Sequence, residues 1–227
     1  MCLAVILARK GSKRIKNKNI KNFYGKPVIF YSIKNAIKSS IFKKIIVSTD
    51  SIKIKKISEQ FGAEVPYLRS KKNSSDYATT ADVLFEILNK IKYNYNYVCV
   101  IYASSPLIDS NDIIKSYKLI KTNNYDSVIP VVKYSYNIWR SLSIRKDKIH
   151  WNFPQYELKR SQDLNDSYHD TGQFYFLSVK KFLRDRKIFM KNSYPLIINN
   201  KFAQDIDTSD DWILAEQKYK LFKLKND

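Results

Sequence analysis

The chain has 227 residues, 44% of them hydrophobic, which is enough to build one generous domain or a core with a modest insertion. Its 41 Lys and Arg against 21 Asp and Glu give a formal charge of +20, but the cations are mainly lysines scattered along the whole chain rather than gathered in a nucleic-acid-binding stripe. The only two cysteines, Cys2 and Cys99, each sit in an apolar run, which excludes a disulfide framework or thiolate metal cluster and predicts two buried thiols.

The first apolar run, Leu3–Ala8, predicts a strand. It is too short for a signal core or a membrane span and has no basic region before it, so a cytoplasmic protein with no membrane partner is expected. Arg9-Lys10-Gly11-Ser12-Lys13-Arg14 follows at once, then Asn17-Lys18-Asn19, so a cationic loop leaves the carboxyl edge of the sheet, where open α/β sheets bind ligands. Gly11 is expected to permit a tight turn. The loop amides from Ala8 onward and the Ser12 hydroxyl can donate to phosphate oxygens, with Arg9 and Lys18 neutralising their charge. The segment is not the Gly-x-x-x-x-Gly-Lys-Ser/Thr loop, and a solvated basic turn is the competing reading.

Helical patterns then alternate with short β-rich runs as far as about residue 132, the mark of parallel strands joined by helices. Helices are predicted over Pro27–Lys38, Ser51–Phe61, Thr79–Ile91 and Asp109–Lys121, the last with Asp109 as its cap. Strands are predicted at Lys44–Ser48, Val98–Tyr102 and Ser127–Val132. Residues 133–177 change character, with short strand-like pieces among polar turns and many aromatic residues, and are read as an insertion presenting an interface. The nucleotide-binding core would then comprise 1–132 and 178–227. Ser193–Ile198 predicts a further strand, and Ser209 opens a final helix.

Asp205 and Asp207 are read at a strand end, where residues two apart share a face and could share a magnesium ion bridging to phosphates. Helix capping is the competing use of such a pair. Leu68-Arg69, Asp76, Tyr102-Ala103-Ser104-Ser105-Pro106, Arg160-Ser161-Gln162-Asp163 and Tyr168-His169-Asp170-Thr171-Gly172-Gln173-Phe174-Tyr175 could all face the same cleft.

Taken in order, Leu7 to Arg14, Asn17-Lys18-Asn19, Gly25-Lys26-Pro27, Val47-Ser48-Thr49-Asp50, Gly62 to Pro66, Leu68-Arg69, Asp76 and Asp205-Ile206-Asp207 resemble the acylneuraminate cytidylyltransferase family along essentially the whole chain. That resemblance implies a Rossmann-like α/β nucleotidyltransferase core with a mostly parallel sheet and an inserted dimerisation region. It implies Mg2+ dependence, transfer of CMP from CTP to an acidic nine-carbon sugar with loss of pyrophosphate, a homodimer and no nucleic-acid partner. Ala8, Arg9, Gly11, Ser12, Lys18, Asn19, Arg69 and Asp76 would bind the nucleotide, Arg9 and Lys18 would act in catalysis, and Asp205 and Asp207 would hold the metal. Tyr102, Ser104, Ser105, Arg160, Gln162, His169, Gln173, Phe174 and Tyr175 would face the sugar, Arg160 reaching its carboxylate from the partner subunit. The Tyr-Ala-Ser-Ser-Pro run and the 168–175 segment look like the branch of the family that uses pseudaminic acid, with sialic and legionaminic acids as the alternatives. Lys10 stands where the family pattern has a small residue, often Gly.

Overall fold

The computed structural model describes residues 1–91 and 94–226. Strands β1 (Cys2–Leu7), β4 (Lys44–Ser48), β5 (Tyr97–Tyr102), β6 (Ser127–Lys133), β9 (Tyr168–Asp170), β10 (Phe174–Ser178) and β11 (Ser193–Ile197) form one sheet, and the short β2 (Asn22–Phe23) and β3 (Lys26–Pro27) pair with each other outside it. The strand order is β11-β6-β10-β5-β1-β4, with β9 on β6. The pairs β1/β4, β1/β5 and β6/β11 are parallel, while β10 runs antiparallel between β5 and β6.

Alternation along these strands feeds two apolar layers. Ala4, Ile6, Cys99, Ile101, Phe174 and Phe176 face helices α1 (Ile29–Ser39) and α4 (Ser110–Asn123). Leu3, Val5, Val98, Val100 and Leu177 face α3 (Thr80–Lys90) and α5 (Val179–Asp185). Helix α2 (Ile52–Gln60) starts at Ser51, whose hydroxyl accepts from the Ile54 amide, and α3 starts in a reciprocal capping box between Thr79 and Asp82. Asp109 caps α4 by accepting from the Asn111 amide at 2.8 Å, the role its sequence position predicts. The closing helix α6 (Ser209–Asn226) packs Trp212, Ala215 and Tyr219 against Phe23, Tyr31 and Leu107 in a third cluster. Both cysteines are buried as expected, and burial pushes the Cys2 thiol up to about 12. No helix among the described residues is long and apolar enough to cross a membrane.

The parallel strands and four helices fall within a few residues of their predicted positions. The 133–177 segment is more divided than its sequence suggests. Strands β9 and β10 belong to the main sheet, because Phe174 and Phe176 fill one core layer and Leu177 the other. The chain outside the sheet is therefore 134–167, built around the hairpin β7 (Leu142–Arg145) and β8 (Lys148–Trp151). Periodicity missed β10 because a strand buried on both faces reads as an unbroken apolar run, Phe-Tyr-Phe-Leu.

Candidate active site

The first loop is pinned from below. Ala8 continues the β1 ladder by donating to the Ser48 carbonyl, the Lys10 amide donates to Asp50 Oδ1 at 2.7 Å, and the buried Asn19 Nδ2 donates to the Arg9 carbonyl at 2.9 Å. Gly11 sits at the centre of the tight turn expected of it, the Ser12 amide donating to the Lys10 carbonyl at 2.9 Å, though the turn does not require glycine. The Gly11 φ is not positive, and a Cβ built there meets nothing within 4 Å. The left-handed residue is Asn17, at φ 54°, a conformation asparagine tolerates, so Lys10 sits in the loop without backbone strain.

The loop cations meet two carboxylates. Arg9 Nη1 lies 2.6 Å from Asp76 Oδ1, and Lys13 pairs with the other oxygen of the same carboxylate. Hydrogen bonds from Lys13 and then Arg9 hold the Asp76 carboxyl below its usual range. Lys18 Nζ donates to the Ile206 carbonyl at 2.6 Å and lies 3.3 Å from Asp207 Oδ1, which Arg14 also reaches at 2.9 Å. Thus four cations from one turn are balanced by Asp76 on one side and Asp207 on the other, the charge arrangement a polyphosphate would take over.

Beside the loop opens a cleft of about 200 Å3 whose walls include Arg9, Lys18, Asn19, Arg69, Thr80 and Tyr102. Arg69 is not the surface partner of Asp76 that sequence proximity allows. It is 8% exposed, with Nε 2.9 Å from Ser48 Oγ and Nη2 2.5 Å from the Ser48 carbonyl. Burial lowers this guanidinium to about 10 despite the opposing fields of Asp50 and Glu86. Glu86 on α3 accepts from the Ser70 amide at 3.1 Å and from its hydroxyl at 2.5 Å, fixing the segment that carries Arg69. Glu86 escaped sequence reasoning, since an acidic residue at a helical spacing looks like any solvated one.

Asp205 and Asp207 lie not on a strand but in an extended segment between the short turn Asn200–Phe202 and α6. Ile206 between them is fully buried in the third apolar cluster, which turns both acids away from the core. Capping is done elsewhere: the Asp211 carboxylate accepts from the Asp207 and Thr208 amides at 3.1 and 2.8 Å, leaving the pair for other work. Partial desolvation, then repulsion from Asp207, raises the Asp205 carboxyl. Gly172, at φ 63°, packs so closely that a Cβ would fall 2.7 Å from the Asp205 Cγ, so only glycine makes room for this carboxylate. A crowded pair of carboxylates with oxygen donors only is a donor set suited to magnesium.

The residues expected to face the sugar divide into four groups. Tyr102 and Ser104 line the cleft, and Ser105 donates to the Gly172 carbonyl at 3.3 Å. Tyr175 lies just beneath, 7% exposed. Gln173 and Phe174 are corrected: at 1% and 0% exposure they are enclosed, Gln173 donating to the Phe202 carbonyl and Phe174 filling the α1/α4 layer, so neither presents a side chain to a ligand here. His169 is exposed, its ring 4.7 Å from that of Tyr134, and lines a separate hollow with Asp205. Arg160 and Gln162 lie on an exposed turn of the excursion and are not among the cleft-lining residues; Arg160 grips Asp163 through two hydrogen bonds of 2.8 and 3.1 Å.

A cation-lined cleft at the carboxyl edge of a mostly parallel sheet, with Asp207 reaching one of its cations, is the arrangement of a nucleotidyltransferase. The chain belongs to the cytidylyltransferase family, which matches residues 3–217. It is 36% identical over 223 residues to the pseudaminic acid cytidylyltransferase of Campylobacter jejuni strain 81-176, covering 96% of each chain. It is 31% identical to the CMP-N,N'-diacetyllegionaminic acid synthase of Legionella pneumophila, again covering 96% of each. A CMP-2-keto-3-deoxy-manno-octonic acid synthetase solved with CTP superposes with a TM-score of 0.71 over 98% of this chain and 99% of that one, at 13% identity, a likeness of fold.

Proposed function

We propose that this cytidylyltransferase transfers CMP from CTP to the anomeric hydroxyl of pseudaminic acid, releasing pyrophosphate. The observation that carries the reading is the convergence of Arg9, Lys18, Asn19, Arg69 and Tyr102 on one cleft beside Asp207. Full-length similarity to a pseudaminic acid enzyme supports the choice of acceptor.

CTP lies across the strand ends, its phosphates held by Arg9, Lys18 and the loop amides in place of the internal carboxylates, and Arg69 faces the nucleoside. The sugar hydroxyl attacks the α-phosphorus and pyrophosphate leaves. Arg9 and Lys18 stabilise the charge that grows on the phosphate oxygens, so catalysis rests on positioning and preorganised charge. Asp205 and Asp207 would hold Mg2+, which when bound would supply Lewis-acid charge to the phosphates. The raised Asp205 carboxyl and the space left by Gly172 support that assignment.

The excursion supports a homodimer. Its surface exposes Ile144 at 78%, Ile149 at 70% and Leu158 at 97%, a group of apolar side chains that a second copy would cover. Arg160 then reaches the sugar of the partner subunit. Mixing Arg160→Ala with Asp207→Ala subunits restores activity in demonstrated mixed dimers if this is so, and no recovery removes the cross-subunit role. A cytoplasmic setting completes the proposal, since CTP is the donor.

Pyrophosphate release with CTP and a panel of pseudaminic, legionaminic and N-acetylneuraminic acids tests the acceptor. Highest kcat/KM with pseudaminic acid is expected. A clear preference for either of the others overturns the assignment.

A further inference from the structure

Four hydroxyl and carboxyl groups from four elements run from the cleft wall, where Thr80 and Tyr102 lie, to Tyr175 and Asp170 behind it. Thr80 opens α3, Tyr102 ends β5, Tyr175 lies near the start of the antiparallel β10, and Asp170 ends β9. The Thr80 and Tyr102 hydroxyl oxygens are 2.8 Å apart. The Tyr102 and Tyr175 rings meet edge to face with centroids 5.8 Å apart, and their hydroxyls act on one another electrostatically. Tyr175 donates its hydroxyl hydrogen to Asp170 Oδ2.

Hydrogen counting gives the Asp170 end of this chain a direction. An ionised carboxylate only accepts, so Tyr175 commits its single hydrogen to Asp170 and offers Tyr102 lone pairs alone. Thr80 and Tyr102 share one hydrogen across their 2.8 Å contact, where either oxygen can donate. Burial raises both phenols above their ordinary range, so both remain neutral hydroxyls. A satisfied polar chain in a half-buried site holds its members in one arrangement.

Resting on the functional reading above, we propose that Asp170 and Thr80 are positioning residues for the acceptor. They orient Tyr102 and Tyr175 so that the floor beside the reacting centre offers hydrogen-bond acceptors, selecting a sugar that places an amide N–H or hydroxyl donor there. Asp170 lies in the 168–175 run with no role of its own read there, Thr80 does not stand out in the sequence, and the juxtaposition exists because β10 is inserted antiparallel beside β5.

The test is steady-state kinetics with CTP and pseudaminic acid on the full chain carrying Asp170→Asn, Thr80→Val or Thr80→Ser. Asp170→Asn raises the KM for the sugar by about tenfold, the scale of one lost hydrogen bond, and leaves the KM for CTP within about twofold. Thr80→Val moves the same constant in the same direction, and Thr80→Ser, which restores the hydroxyl, returns it to the wild-type value. A parallel rise in both KM values, a fall in kcat alone, or a serine variant as impaired as the valine one overturns the inference. If wild-type protein releases no pyrophosphate with pseudaminic acid, the functional reading falls and this inference with it. An active wild type whose variants show no split between the two substrates removes the inference alone.

Discussion

The nucleotide end of the site and the 134–167 excursion are built on opposite principles. At the nucleotide end the functional groups are preset: Arg69 is buried on Ser48, Asn19 holds the loop through the Arg9 carbonyl, and Ile206 anchors Asp205 and Asp207 from beneath. In the excursion Arg160 is exposed and paired with a residue on its own turn, and Ile144, Ile149 and Leu158 face outward. A charge that must meet a triphosphate is fixed by the core, where reorganisation costs least at the moment of reaction. The excursion's side chains are left on the surface, where the proposed second copy would meet them.

That contrast can be broken most severely at the acidic pair. Asp207→Ala is expected to lower kcat by about a thousandfold while far-ultraviolet circular dichroism and thermal melting change little, because Lys18 keeps its bond to the Ile206 carbonyl. Turnover within tenfold of wild type would remove Asp207 from the site. Arg69→Met comes next, with kcat/KM for CTP down about a hundredfold. It is also expected to melt earlier, since the Ser48 hydroxyl and carbonyl lose a buried partner. An unchanged kcat/KM would make Arg69 purely structural.

The other side of the contrast is sharpened by Ile144→Asp with Ile149→Asp. Sedimentation should show smaller particles, and activity should fall roughly tenfold or more while CTP binding by calorimetry persists. Loss of CTP binding would mean that the excursion supports the nucleotide end after all.

Acid titration probes the second layer behind Arg69. Burial acts upward on Glu86, but hydrogen bonds from Ser70, Asn73 and Lys90 outweigh it and bring the carboxyl down to about 2. A folded value below the unfolded one gives stability that is full above about pH 4.5 and lost as pH falls through about 2. Thermal melting of Glu86→Gln against wild type should therefore converge as pH drops across that window, and a constant difference would refute the linkage. The smallest effect is expected at Gly11→Ala, with kcat/KM within about threefold, because the new Cβ meets nothing within 4 Å. A large loss would show that nucleotide approaches this backbone more closely than the loop alone requires.

Most of the parallel sheet and its helices could be read from the chain, because the strands there are short and aliphatic and β1, β4 and β5 are each followed by a periodic helix. The cationic loop was equally plain: Arg9 and Lys18 flank a turn directly after the first strand. The acceptor side was legible only in part. Tyr102 and Tyr175 reach the expected region, but alternation along β10 sends Phe174 to the α1/α4 layer, and Gln173 is drawn inward by its bond to the Phe202 carbonyl. Glu86 and Thr80 left no local signature, and Asp170 showed only as a member of the 168–175 run, since their partners lie on other elements.

The amino-acid order by itself determined the alternating α/β core, the cationic loop and the pair Asp205/Asp207, because period, charge and spacing are local properties. Only the tertiary structure decided that Arg69 is buried, that Gly172 must be glycine to admit Asp205, and that Thr80 meets Tyr102 while Asp170 meets Tyr175. These depend on which strand lies beside which and on which face each side chain leaves. A single antiparallel insertion reset both.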